Sequence, residues 1–140
     1  MPQSLLSALN ALPELTGRVF RTAVANTPAA PYARVWEAPR GVEVRLFHRQ
    51  QVSRLNLRVT LYDKPTGSDT NEARAAAQVR LERLADKVRD ALATVDTHLD
   101  GVKRYAEPPL YITDTGPVDD KNVAGQSYLT LFIEAHLVRP

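Results

Sequence analysis

Three histidines, His48, His98 and His136, are the side chains best suited to metal or proton-transfer chemistry, and each stands alone in sequence. A zinc-binding helix needs ligands one turn apart, and none of the three has such a neighbour, so they read as structural or exposed. Cysteine is absent, which excludes disulfides, thiolate chemistry and cysteine-based zinc sites. No G-x-S-x-G elbow or phosphate-binding glycine loop occurs, because the six glycines are scattered singly through turns. Asp114, Asp119 and Asp120 carry oxygens of the kind that hold calcium or magnesium, but a solvated loop is the simpler reading. Tyr32, Trp36, Phe47, Tyr62 and Phe132 lie in strand-like segments where bases can stack. They form no clustered repeat, and core or interface packing is favoured. The chain therefore asks for no cofactor and no metal, and no residue is assigned a catalytic role.

The elements that would position these groups are organised around one helix, roughly Asp69 to Val95. Ala77, Leu81, Leu84, Val88 and Leu92 recur at spacings of four and three, which makes them one core-facing stripe. Asp69-Thr70-Asn71-Glu72 supplies the start, a short polar cap with a Glu three residues on that can reach back. The opposite side carries Arg74, Arg80, Glu82, Arg83, Asp86, Lys87, Arg89 and Asp90, whose i,i+3 pairs Arg83/Asp86, Asp86/Arg89 and Lys87/Asp90 describe a solvated face.

Before it, Ser4 to Leu12 reads as a short helix with Leu5, Leu6, Leu9 and Leu12 on its apolar side and Pro13 ending it. Gly17 to Arg21 and Tyr32 to Glu37 read as short strands, separated by a proline-punctuated loop. Two alternating runs follow, Val42 to Phe47 and Arg54 to Leu61, joined by His48 to Ser53 into an antiparallel hairpin. Alternation puts Arg45, Arg54 and Arg58 on the side away from the hairpin's Val and Leu residues, with Arg49 in the connection.

After the helix, Thr97 to Gly101 reads as a break, and Val102 to Tyr105 and Leu110 to Thr113 as strands. Asp114 to Asn122, which includes Asp119, Asp120 and Lys121, has turn residues and no periodicity and reads as a mobile loop that a partner orders. Gln126 to Val138 is the longest alternating run and is expected to be the central strand. The order predicts one α+β domain over residues 1–140, a mainly antiparallel sheet packed on one long amphipathic helix, with a short N-terminal helix.

No stretch approaches the roughly 20 apolar residues of a membrane span, and the N-terminus lacks the apolar run of a signal peptide. The net charge of +2 is small, but its distribution is uneven: residues 1–60 hold eight Arg against three acids, +5, and residues 61–140 hold ten basic and thirteen acidic groups, −3. Arg outnumbers Lys fourteen to four, and Arg suits bidentate pairing at interfaces.

Element order then gives a resemblance. The Pro-Tyr-x-x-Val opening in Ala30-Pro31-Tyr32-Ala33-Arg34-Val35, the strand Leu57-Arg58-Val59-Thr60-Leu61-Tyr62, the helix segment Leu84 to Leu92 and the final loop and strand resemble the tail terminator and tail completion family of long-tailed (siphovirus-type) bacteriophages. The resemblance covers nearly the whole chain and rests on order and hydrophobic pattern. It implies a non-enzymatic homo-oligomer, usually a hexameric ring, that caps the head-proximal end of the tail tube. That ring stops tube growth and joins head-completion or connector proteins, with the tape measure protein nearby and genomic double-stranded DNA passing through its lumen. The location implied is the head–tail junction of the virion, and the host cytoplasm during assembly. In such a ring Arg45, Arg49, Arg54 and Arg58 would meet an acidic surface such as Glu82, Asp86 and Asp90 of a neighbour. The competing readings are a nucleic-acid-binding module that uses the arginine face of the hairpin, and a small enzyme with a dispersed site.

Overall fold

The computed structural model describes residues 3–21, 29–37, 45–47, 50–65, 67, 70–93, 98–99, 102–104, 110–120 and 125–139. The long helix α2 runs Asn71–Ala93, and Thr70 starts it. The Thr70 hydroxyl accepts the amide N–H of Ala73 at 3.1 Å, satisfying one of the donors that a helix start leaves open. The cap therefore sits one residue later than the Asp69 start, and the third position from it is Ala73, which has no carboxylate to reach back. Ala77, Leu81, Leu84, Val88 and Leu92 are all buried as the spacing predicts, and Ala85 joins them.

The stripe covers a sheet of nine strands among the described residues: β1 (Val19–Phe20), β2 (Tyr32–Glu37), β3 (Arg45–Phe47), β4 (Gln50–Asp63), β5 (His98–Leu99), β6 (Val102–Arg104), β7 (Leu110–Asp114), β8 (Val118–Asp119) and β9 (Ser127–Arg139). The order is β1-β2-β4-β9-β6-β5, with β3 added to β4, and β7 and β8 to β9. The pairing of β1 with β2 is parallel and every other one is antiparallel. The α+β class holds, with a mixed sheet, one long helix and the short helix α1 (Gln3–Asn10).

The centre is the ladder of β4 against β9, in register from Gln51↔Arg139 to Asp63↔Ser127. Alternation then divides the side chains. Leu57, Val59 and Leu61 of β4, Leu129, Leu131 and Ile133 of β9, and Ala33 and Val35 of β2 point to α2 and form one buried cluster with its stripe and with Leu9 and Leu15. Each fully buried leucine contributes about 1.5–3 kcal/mol relative to exposure.

Three expectations are corrected by the ladder. β4 begins at Gln50, so Phe47↔Gln50 is the end pair of the hairpin and the expected link from Gln50 as far as Ser53 is strand instead. Gln51 to Ser53 read as polar linker, but they pair with Leu137 to Arg139, and backbone partners outweigh polar side chains there. β4, at 14 residues, is also one longer than the central β9, at 13. His98–Leu99 pairs with Val102 and Lys103 where a break was expected.

The acidic segment differs most. Asp114 ends β7, Val118–Asp119 pairs with Tyr128 and Ser127, and the Thr115 and Asp120 amides donate to Thr130 and Gln126 carbonyls at 3.1 and 2.8 Å. Through Asp120 the segment is hydrogen-bonded to the edge of β9 within one chain. Short strands of two residues leave no periodicity for a sequence to show. Lys121 and Asn122 lie outside the described residues, as do Asp69, Val42 to Val44, and Thr94 to Thr97.

α1 ends in a small network. Thr16 donates to the Asn10 and Leu12 carbonyls at 2.9 and 3.0 Å, and the Asn10 side chain accepts the Gly17 amide at 3.3 Å. Gly17 has φ 72°, the left-handed conformation that lets the chain reverse into β1. Leu15, which the helix pattern leaves out, is driven fully into the core by this turn.

Candidate functional site

Seen from the helix, the sheet's second face consists of the alternate residues, and its composition is unusual for a solvated surface. One row across the strands is Tyr32, Tyr62, Tyr128 and Val118, and the next is Arg34, Thr60 and Thr130. A third row is Trp36, Arg58, Phe132 and Thr113. Tyr32 and Tyr62 stack at 4.6 Å between centroids and 10° between planes, Tyr128 tilts against Tyr62 at 6.1 Å, and Phe20 meets the edge of Tyr32 at 6.2 Å. The Arg34 guanidinium lies 5.6 Å over Trp36, and that of Arg58 lies 5.4 Å over Phe132. Phe132 is 39% exposed and Arg58 is exposed. Asn56, Arg58, Thr113, Phe132 and Glu134 border a shallow groove of about 290 Å³.

Burial raises the Tyr32 phenol above its ordinary 10.0, the hydrogen bond from Gln126 opposing it in part. Burial raises Tyr62 likewise, opposed by the nearby Arg34 charge. A phenol that ionises later when folded stabilises the fold fully below pH 10, and that contribution is lost as pH climbs because the unfolded chain ionises first. Urea midpoints should therefore fall between pH 9 and pH 11, and Tyr62→Phe should reduce the fall. An identical fall in the variant would show that burial of this phenol is not the cause.

In the row beside the tyrosines, the Thr60 and Thr130 hydroxyls meet at 3.1 Å, both residues buried. Replacing one by Val should cost about 1–3 kcal/mol by stranding its partner, whereas the double replacement should cost less than the sum. Additive costs would count against the hydroxyl pair. Gln126 is also buried and donates to the Tyr32 hydroxyl at 3.1 Å and to Asp120 at 2.9 Å.

The helix side holds a set of polar clamps, of which the sequence showed the Asp86/Arg89 pair and none of the partners on other elements. Arg80 Nε donates to Asp63 at 2.9 Å and its Nη2 to the Lys64 carbonyl at 2.9 Å. Arg89 joins Asp86, at 2.7 Å, to Asp114 of β7. Gln78 reaches Asp119 of β8 at 3.5 Å, and Lys87 pairs with Glu14. That hydrogen bond from Lys87 holds the Glu14 carboxyl below its ordinary value. The partners lie 17, 41 and 73 residues apart for Asp63, Asp119 and Glu14, so no local spacing announces them. The helix's charged side is partly a frame that ties α2 to the sheet, where the sequence suggested a purely solvated face.

Of the four hairpin arginines only Arg58 has a described side chain. Arg45 and Arg54 pair with Val52 and His136 in the ladder, and Arg49 lies outside the described residues. Glu82, Asp86 and Asp90 are exposed on α2, on the layer opposite Arg58, so the two sets do not meet within one chain. Asp114, Asp119 and Asp120 are drawn apart, to Arg89, to Ser127 and Gln78, and to Gln126. Among the described residues no three His, Cys, Asp or Glu side chains gather as a metal would require. The side chains of His98 and His136, and all of His48, lie outside the described residues. Among the described residues no helix is long and apolar enough to cross a membrane.

No known protein-family profile matches the sequence, nor does any curated protein. Among solved structures, a chain from the virion of a native gene transfer agent particle is 17% identical, with 96% of this chain and 92% of that chain covered and a TM-score of 0.60. A second solved chain, 20% identical over 100% of this chain and 97% of its own, superposes at a TM-score of 0.47. The likeness to the gene transfer agent chain is one of fold, and it extends along nearly the whole length of both chains.

Proposed function

We propose that this chain is a structural virion protein of the tail-terminator type. Copies form a ring, usually of six, that caps the head-proximal end of a tail tube, ends tube polymerisation and offers a surface to head-completion proteins, with DNA passing through the lumen. The observation that carries the reading is the likeness over 96% of the chain to a protein of a gene transfer agent virion, which agrees with the element order of the sequence. On this reading the protein is not an enzyme. Its working groups are those that meet neighbours: Arg45, Arg49, Arg54 and Arg58, the acids Glu82, Asp86 and Asp90, and the segment holding Asp114, Asp119, Asp120 and Lys121.

Native mass measurement and a tube-growth assay test the proposal together. The expected result is a closed oligomer of about six subunits that shortens tubes when added below the stoichiometry of the tube protein. A monomer at every concentration, with tubes growing unchecked, would overturn it. A monomer whose affinity for DNA falls steeply with salt would favour the nucleic-acid reading.

A further inference from the structure

We infer that copies of this chain join head to tail, the second face of the sheet in one copy seated on the outer side of α2 in the next. The inference rests on the ring proposed above and names the surfaces that build it. Both helices feed the one core on the same side of the sheet, so among the described residues no helix covers the second face. The large exposed apolar side chains among the described residues are Val79, Val118 and Phe132. Val118 and Phe132 stand on the second face of the sheet. Val79 lies opposite the buried stripe of α2, in an exposed stripe that begins with Ala75 and Ala76. Each layer thus presents an apolar spot outward, on opposite sides of the molecule.

Charge follows the same division. The sheet face presents Arg58 exposed and Arg34 half-buried, with the half-buried Glu134 on the same face beside Asn56. The outer stripe of α2 presents Glu72, Glu82 and Asp90 against Arg83; Lys87 is turned to Glu14, and Arg89 bridges Asp86 and Asp114. An acidic stripe with an apolar start therefore faces one way, and an aromatic face whose exposed charge is Arg58 faces the other. Surfaces on opposite layers cannot mate by a two-fold axis, since each copy must use both; the contact is heterologous and closes into a ring when its rotation allows. Arg58, already held over an aromatic ring, loses little freedom when a carboxylate arrives.

The chain has no cysteine, which makes a cross-linking test clean. Val79→Cys and Phe132→Cys replace exposed residues and leave the core intact. When the two single variants are co-expressed, a short bismaleimide should give a covalent dimer, and neither variant alone should. Arg58→Glu in the Phe132→Cys chain should lower that yield about tenfold, and Glu82→Arg in the Val79→Cys chain should restore it. Self-linking of Phe132→Cys would mean that the sheet faces meet each other, overturning the inference. An oligomer by native mass with no mixed product would overturn it and leave the ring reading standing. A monomeric wild-type chain would overturn both.

Discussion

Leu84→Asp is expected to abolish cooperative folding, while Arg83→Asp one position earlier leaves it nearly unchanged. Leu84 is 5% exposed and belongs to the cluster that joins α2 to β4 and β9, whereas Arg83 is exposed. The cations one turn from a carboxylate at Leu84, Arg80 and Lys87, are already held by Asp63 and Glu14, and a buried charge left without a partner takes most of the about 5–15 kcal/mol that a domain of this size holds in reserve. Leu81→Ala, which removes volume without adding charge, should cost about 2–5 kcal/mol and still fold. Thermal unfolding followed by circular dichroism reads all three. A cooperative transition in Leu84→Asp at the wild-type temperature would show that α2 does not bury this side.

Much of the fold was legible because it rests on periodicity. The five-residue stripe of α2, the strand Tyr32–Glu37 and the central placement of β9 all follow from apolar spacing, which the sequence displays directly. The failures came where backbone pairing or distant partners decide. Gln50 to Ser53 have no strand pattern and become strand because β9 extends far enough to pair with them. Val118–Asp119 is too short to alternate. His98–Leu99 does carry a signal, the Asp100-Gly101 dipeptide between it and Val102, which is a favoured hairpin connection as well as a break in periodicity.

The same reasoning applies to the site. Alternation put Arg58 on the sheet's second face, and the structure adds that Phe132 lies beneath it, a pairing set by the β4–β9 register and invisible in either strand alone. The aromatic residues looked scattered because neighbours in the sheet are far apart in sequence: Tyr32, Tyr62 and Tyr128 form one row. An antiparallel sheet with one face on a core ordinarily turns polar residues outward. Here rings and guanidinium groups stand among the threonines, Asn56 and Glu134 of that face, with Val118 and Phe132 exposed, an apolar content that suits the contact inferred above.

The clamp at Asp63 should show an asymmetry that a solvated helix face would not. Asp63 is buried, with 8% of its side chain exposed, and accepts from Arg80 and from the Lys64 amide at 2.8 Å. Arg80 is 39% exposed on the other side of the pair. Asp63→Ala frees Arg80 to turn to water and strands mainly the Lys64 amide, a loss of about 1–3 kcal/mol. Arg80→Ala instead leaves a carboxylate with little access to water and removes the donor to the Lys64 carbonyl, so it should cost more, toward about 3–5 kcal/mol where a buried charge loses its partner. The double variant should cost less than the two together, because the second change removes the charge that the first left unpaired. Urea unfolding of the three variants, compared at one salt concentration, measures the difference. If Arg80→Ala proves no more costly than Asp63→Ala, the carboxylate reaches water without its partner, and the pair is an ordinary surface contact that does not tie α2 to β4.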